Sequence, residues 1–204
     1  MELHQNQYYH IYNRSNNSEI VFRDDENYRY FLDKYRHYFL EGLDTIAYCL
    51  MPTHFHFLVY VKPMPHPSGV DGLHLQGGVH LPEEDALHLS SELQKKFGVL
   101  LSSYTKAINQ RYERHGSLFQ QHTKSRLVNK ESYLVTVMTY IHQNPVRAGL
   151  VKRLEDWEYS SYRDFIGMRD GTLPQERILA DYFSGIEDFK RFSKTMLASV
   201  EEDL

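Results

Sequence analysis

The fold of this chain is organised around residues 51–61, which read MPTHFHFLVYV. The apolar and β-branched content of this stretch predicts a β-strand, in which successive side chains alternate between two faces. His54 and His56 therefore point to one side of the strand, and Phe55 and Phe57 point to the other. Two neighbouring neutral imidazoles can bind one divalent metal ion. Because His-x-His also occurs by chance, the rest of the chain must decide between a metal site and two ordinary histidines.

The neighbouring segments predict an antiparallel sheet. Residues 46–51 predict a strand, and the short link Pro52-Thr53 predicts a hairpin that places the two histidines near its turn. Further strands are predicted over 7–13 and, with two basic side chains on one face, over 124–128. The order β, α, β, β, α, β, α predicts an α+β fold, with helices packed on one face of the sheet or at its edges.

Two helices lie between the predicted strands. Asp24 or Asp25 is expected to cap the first helix, which has aromatic residues at helical spacing and runs to about Leu40. The capping-box pattern at Ser91 is expected to begin the second helix, which is long and amphipathic and ends by Gly116.

The third helix brings a tyrosine and an amide to the same side. Asn129 is expected to cap this helix and Pro145 to end it, with Gly149 closing a short helical turn beyond. Tyr140 and Asn144 are one helical turn apart. If the histidines held a metal, an Asn144 oxygen could join it and Tyr140 could attack a bound phosphate. From spacing alone we prefer a core tyrosine and a capping asparagine.

The composition is that of an ordinary soluble globular protein, with 41% hydrophobic and 25% charged residues. The formal net charge of −4 argues against purely electrostatic binding of nucleic acid, although local basic clusters can still bind phosphates. No apolar run is long enough to cross a bilayer and no signal-peptide pattern is present, so the cytoplasm is the expected location. Cys49, the single cysteine, lies in an apolar run and is expected to be buried.

The domain organisation predicted from the sequence is one domain over residues 1–165, followed by a helical extension over 166–204. Residues 63–89 are rich in proline and glycine and lack an apolar period, which predicts a flexible surface insertion. Its histidines are expected to be solvated loop residues rather than a metal cluster. They are His66, His74, His80 and His88.

Two longer segments carry a family resemblance: 51–59 (MPTHFHFLV) and 140–151 (YIHQNPVRAGLV). Shorter segments at 9–14, 46–50 and 157–162 extend it, so that it spans roughly residues 7–165. Together they resemble the IS200-like single-tyrosine (HUH) transposases. The Asn-Pro-Val-Arg-Ala-Gly run and the Ser-Ser-Tyr ending are most similar to the branch associated with repetitive extragenic palindromes.

This resemblance implies a ferredoxin-like antiparallel sheet and metal-dependent cleavage and rejoining of single-stranded, hairpin-containing DNA. Tyr140 would form a 5′-phosphotyrosine, and His54, His56 and Asn144 would hold a divalent ion, Mg²⁺ or Mn²⁺. The expected partner is single-stranded or hairpin DNA, with no membrane. A monomer with a self-contained site is favoured over a homodimer that shares its sites.

Basic side chains are the expected contacts to the DNA backbone. The candidates are Arg14, Lys95, Lys96, Lys106, Arg111, Arg114, Lys124, Arg126 and Arg147. The sequence departs from the family pattern at Ser15, a common glycine position, and at Thr53, where asparagine is usual. Residues 121–123 (QHT) stand where the family often has Gly-Arg-Phe, which removes one expected arginine.

Two other functions are open at this point. The acidic charge and the lost arginine favour a domesticated or inactive relative that binds structured single-stranded DNA without cutting it. A two-histidine hydrolase of small phosphoesters would need a closed pocket, and it would have no use for Tyr140.

Overall fold

A computed structural model describes residues 1–63, 83–175 and 178–195 of the chain. Four strands form one antiparallel sheet in the order β2-β3-β1-β4. The strands are β1 (Tyr8–Arg14), β2 (Leu43–Met51), β3 (His54–Val61) and β4 (Lys124–Val128). The predicted ferredoxin-like α+β fold is confirmed, because helices follow β1 and β3 and the hairpin strands pair antiparallel.

In the described part of the chain, three long α-helices pack on this sheet and three short ones follow. The long helices are α1 (Asp25–Phe39), α2 (Glu83–Arg111) and α3 (Glu131–Arg147). The short ones are α4 (Tyr162–Phe165), α5 (Ile178–Tyr182) and α6 (Ile186–Lys194).

The sheet is covered on both faces, so the expectation of helices on one face or at the edges was wrong. Phe55 and Phe57 of β3 join a core with residues of α1 and α2. Cys49 and Leu58 face the opposite side, in a second core with residues of α3 and α6. Because apolar side chains of β2 and β3 point to both faces of the sheet, helices cover each face. Cys49 is fully buried, as predicted.

The start of α1 is confirmed and that of α2 is corrected. Asp24 caps α1, where its side chain accepts a hydrogen bond from the backbone N–H of Asn27 at 3.0 Å. The helix predicted to begin at Ser91 already begins at Glu83. The neighbouring Ser90 lies within the helix, where its Oγ accepts a hydrogen bond from Leu3 N at 3.0 Å. Most of the predicted insertion, residues 64–82, lies outside the described part of the chain, and with it the insertion's first three histidines.

Both expected ends of α3 were wrong. The N-cap is Lys130 rather than Asn129, and it makes no side-chain capping bond. Pro145 lies inside the helix, although it cannot donate a hydrogen bond to the Ile141 carbonyl. The Asn144 Nδ2 group donates instead to the carbonyls of Tyr140 (2.9 Å) and Ile141 (3.5 Å), so the helix continues to Arg147.

The segment after α3 braces that helix. Phe189 of α6 is fully buried in the second core. The Nε2 group of Gln143 on α3 donates to the carbonyls of Ser193 (2.9 Å) and Thr195 (2.7 Å). None of the helices in the described ranges is long and apolar enough to span a membrane.

A partly buried ion pair near Gly171 generates a stability prediction. Arg169 Nε donates to Asp164 Oδ1 at 2.7 Å, and a Cβ atom at Gly171 would lie 2.1 Å from that oxygen. Because the Asp164 side chain is fully buried and held by Arg169, it cannot move aside cheaply. We expect Gly171→Ala to lower the free energy of unfolding in urea by about 1–3 kcal/mol.

The matched control is Gly98→Ala on an exposed turn of α2, where a Cβ would meet no atom within 4 Å. This change should raise the free energy of unfolding by up to about 1 kcal/mol, because alanine is the better helix former. Equal effects of the two substitutions would contradict the crowding at Gly171.

Candidate functional site

A cleft of about 700 Å³ lies where the turn end of β3 faces α3. The described residues that line it include His54, His56, Tyr140 and Asn144. The structure therefore brings together in one chain the four residues for which the sequence suggested metal binding and nucleophilic attack, although 86 positions separate His54 from Tyr140 (140 − 54).

The two imidazoles of β3 are held through the same ring atom. His54 Nδ1 lies 3.0 Å from Thr53 Oγ1, and His56 Nδ1 lies 2.9 Å from His10 Nε2. The rings are perpendicular, with centroids 5.1 Å apart. With Nδ1 engaged in both rings, Nε2 is the nitrogen available to a ligand, which is how supporting hydrogen bonds orient metal-binding histidines. Thr53, a departure from the family pattern, orients His54 here.

His10 is a site residue that the sequence interpretation missed. Its side chain is 1% exposed, it stacks on His56 with ring centroids 5.1 Å apart, and its Nδ1 has no hydrogen-bond partner. Pairing of β1 with β3 places Tyr12 opposite His56 and His10 opposite Leu58. The sequence alone could place His10 only on the same strand face as Tyr12. Its contact with His56 depends on the register between β1 and β3, which the sequence did not supply.

Burial keeps these rings neutral at ordinary pH. It lowers the pKa of His10 to about 3, with a smaller contribution from Arg126. Burial is also the main cause of the lowered pKa of His56, ahead of His10 and His54, and of the lowered pKa of His54, ahead of Arg14. The neutral imidazole is the form that binds a metal ion.

Tyr140 lies between the histidines and a guanidinium group. Its ring centroid is 5.9 Å from that of His56, and the Arg147 guanidinium carbon lies 5.7 Å from the Tyr140 centroid. Burial raises the pKa of Tyr140, while Arg147 and a hydrogen bond with Asn144 lower it to a smaller extent. The ring packs at the edge of the second core and also lines the cleft, so the core and cleft positions expected as alternatives occur together.

The two polar atoms of the Asn144 side chain have different roles. Its Nδ2 bonds to carbonyls of α3, which leaves Oδ1 as the atom that can accept a bond or a cation. The candidate metal ligands are thus two imidazole Nε2 atoms and one amide oxygen, with positions left for phosphate and water. Within residues 1–63, 83–175 and 178–195, no group of three or more His, Cys, Asp or Glu side chains is placed to hold a metal.

The predicted DNA contacts separate into two sets. Arg14 and Lys124 line the cleft, Arg126 lies further along the same face of β4, and Arg147 lies over the Tyr140 ring. The other candidates belong to α2 or the turn after it, and α2 packs on the opposite face of the sheet. They are Lys95, Lys96, Lys106, Arg111 and Arg114.

Two of that second set are already paired with carboxylates. Arg111 lies 3.0 Å from Asp24 and 2.6 Å from Glu26, and Arg114 lies 2.7 Å from Glu19. Arg111 and Arg114 are therefore not available as parts of one open basic surface with the cleft.

Comparison with known proteins gives three findings. No protein-family model matches the sequence. A curated protein of Haemophilus influenzae, described as a "Putative REP-associated tyrosine transposase", is 25% identical over 119 residues, which is 58% of each chain. A solved structure, described as a REP-associated tyrosine transposase bound to a REP hairpin, matches with a TM-score of 0.54 and 13% identity. The predicted resemblance is confirmed.

The two matches differ in extent. The solved structure covers 86% of this chain, and this chain covers 94% of it, so the likeness of fold extends over nearly the whole domain. The chain spans 58% of the length of the curated relative.

The neutral state of the buried rings can be measured directly. At pH 7 we expect the nitrogen chemical shifts of His10, His54 and His56 to be those of neutral imidazoles, because burial disfavours the charged ring. Lowering the pH to about 4 should leave His10 uncharged, since its pKa is about 3. Long-range ¹H–¹⁵N spectra of the metal-free protein test this, with His10→Phe to assign the His10 signals. An imidazolium pattern for His56 at pH 7 would refute the electrostatic description of the cleft.

Proposed function

We propose that this protein is a single-tyrosine transposase that binds hairpin-containing single-stranded DNA and cleaves and rejoins it with the help of a divalent metal ion. The observation that carries the proposal is the placement of Tyr140 against His56 and Asn144, in a cleft where both histidines keep Nε2 available. Two comparisons support it: the H. influenzae relative described as a tyrosine transposase and the fold match to a transposase bound to a REP hairpin.

The cleavage step uses one nucleophile and conserves the energy of the phosphodiester bond in a phosphotyrosine bond. The Tyr140 Oη atom attacks the phosphorus and loses its proton, the bond from phosphorus to the 3′-oxygen breaks, and that oxygen leaves as a 3′-hydroxyl after gaining a proton. The product is a 5′-phosphotyrosine. In the reverse sense, a 3′-hydroxyl attacks the phosphotyrosine, restores the phosphodiester and releases the tyrosine, so rejoining needs no other energy source.

Neighbouring side chains prepare this reaction. Arg147 stabilises negative charge on the phenol oxygen, and Arg14 and Lys124 face a phosphate held in the cleft. His54, His56 and Asn144 would hold the divalent ion. When bound, that ion would polarise the phosphoryl oxygen and offset the charge that develops on it.

Binding of structured DNA without cleavage is the second candidate. His122 stands at the position where an arginine is frequent, and the net charge is −4, so the chain has less positive charge for phosphates than its resemblance implies. A small-phosphoester hydrolase fits less well. The cleft is partly open to solvent, and its lining includes Tyr140, for which such a hydrolase has no use.

Covalent trapping tests the nucleophile. When Mg²⁺ or Mn²⁺ is present, we expect a hairpin oligonucleotide with single-stranded flanks to give a protein–DNA adduct that carries a 3′-terminal label and a shorter free strand that carries a 5′-terminal label. Labelling each end in turn makes the adduct visible on denaturing gels. Tyr140→Phe should abolish the adduct because the phenylalanine ring lacks the attacking oxygen. Removal of the metal with EDTA should abolish it as well.

Tyr133→Phe is the matched control, two turns away on the same helix and outside the cleft lining. It should form the adduct as the parent protein does. An adduct that persists in Tyr140→Phe would rule out Tyr140 as the nucleophile. Tight hairpin binding without any adduct, in the presence of either metal, would favour the second candidate.

His10 generates a separate prediction about metal binding. His10→Phe removes the nitrogen that meets His56 Nδ1, and supporting bonds of this kind typically change metal affinity by about 10–100-fold. We expect Mn²⁺ binding, followed by electron paramagnetic resonance without DNA, to weaken by a factor in that range. His10→Gln should recover part of the affinity because its amide can reach the place of Nε2.

The control for burial is His142→Phe. His142 is also fully buried with an unpartnered Nδ1, but its Nε2 bonds to Ser161 Oγ at 2.8 Å, away from the cleft. Circular dichroism should first show that each variant is folded. Wild-type Mn²⁺ affinity in folded His10→Phe would show that His10 does not position His56.

A further inference from the structure

A second groove, of about 710 Å³, lies between α2 and residues 116–123. We infer that it holds unpaired nucleotides of the same DNA strand whose phosphate enters the cleft. This inference rests on the proposed function and extends it. It assigns part of the substrate to a surface that residues 116–123 separate from the cleft. None of the residues expected to carry the chemistry lies in this groove.

The groove and the cleft are neighbours. Gln120 and His122 line both cavities, so a strand that leaves the cleft across these two residues enters the groove. The segment that contains these two residues is held to β1 by hydrogen bonds. Asn13 Nδ2 donates to the Gln120 carbonyl at 3.2 Å and to Thr123 Oγ1 at 3.1 Å, and Gln120 N donates to the Arg14 carbonyl at 2.9 Å.

Neither cavity has negative side chains in its described lining that would repel a polyanion. The chain has 27 acidic and 23 basic residues, yet among the described residues that line the two cavities there is no aspartate or glutamate. Arg14 and Lys124 line the cleft, and Lys106 lines the groove. In an acidic protein, two adjoining cavities without a carboxylate in their described lining favour a polyanion such as a DNA strand over a basic peptide.

The walls of the groove suit bases that are not paired. Gln94, Gln121 and Thr105 offer amide and hydroxyl groups, and Leu101 offers an apolar surface. Unpaired bases expose hydrogen-bonding edges and flat faces to such groups, whereas a duplex stem presents mainly phosphates. Of the described lining residues, Lys106 is the one lysine or arginine, which is too little charge for a stem and enough for one backbone contact.

This assignment separates two lysines that the sequence treated alike. Lys106 and Lys95 are both exposed on α2, but only Lys106 lines the groove. The pair Lys106→Gln and Lys95→Gln therefore makes the same change on the same helix, once inside the groove and once outside it.

Binding without chemistry tests the inference. In a Tyr140→Phe background with EDTA, fluorescence anisotropy compares a bare hairpin, the hairpin with a 5′ single-stranded extension and the hairpin with a 3′ extension. We expect one extension to tighten binding, and Lys106→Gln to remove most of that gain while leaving the bare hairpin unchanged. The salt dependence for the extended hairpin should fall by about 0.7 in log–log slope, the value for one phosphate contact on single-stranded DNA. Lys95→Gln should keep the gain.

Site-specific cross-linking tests where the single-stranded extension binds. Cys49 is the single cysteine and is fully buried, so Ser102→Cys introduces one reactive thiol into the groove. An extension carrying a thiol-tethered base should form a disulfide with Ser102→Cys. It should not do so with Val99→Cys, which is exposed on the same helix outside the groove lining.

The outcomes separate this inference from the proposed function. Adduct formation by the parent protein with no cross-link at Ser102 and no effect of Lys106→Gln would overturn the inference alone. A selective cross-link without any adduct would support the groove while contradicting cleavage. Equal weakening of bare and extended hairpins by Lys106→Gln would assign Lys106 to the stem and also overturn the inference.

Discussion

The antiparallel register between β1 and β3 is the constraint on which the site depends. It pairs Arg14 with His54 and Tyr12 with His56, and it brings His10 within hydrogen-bond distance of His56. A slip of one residue would turn the histidine face of β3 into its phenylalanine face, because side chains alternate along a strand. The register is fixed by burial on both faces, so the same packing that stabilises the sheet also aims the imidazoles at α3.

Features that depend on local sequence could be predicted. The strand periods, the hairpin at Pro52-Thr53, the cap at Asp24 and the positive φ of 69° at Gly149, just after the end of α3, follow from neighbouring residues. What could not be predicted depends on contacts between distant segments. The role of His10 depends on the register between β1 and β3. The second helical layer could be predicted only if the central strands were known to be buried on both faces. The ion pairs of Arg111 and Arg114 depend on where α1 and the loop before it lie in the fold.

The case of Pro145 shows how a local rule can be correct and its consequence wrong. Proline does remove a backbone donor, but the side chain one position earlier supplies a replacement, and the helix continues. The Asn144 side chain is thereby fixed on the helix beside Tyr140. An asparagine that compensates for the proline and an asparagine that offers an oxygen to the cleft are the same residue, so the two interpretations of the Asn-Pro pair do not compete.

The bracing of α3 by the last turn of α6 and its C-cap has a consequence for how the protein is synthesised. Gln143, next to Asn144, is held by the carbonyls of Ser193 and Thr195, which are among the last described residues of the chain. During synthesis the hairpin and β1 leave the ribosome long before these two carbonyls do. A nascent chain can therefore assemble its histidine pair early, while the helix that carries the tyrosine is fully fastened only after Ser193 and Thr195 have also emerged.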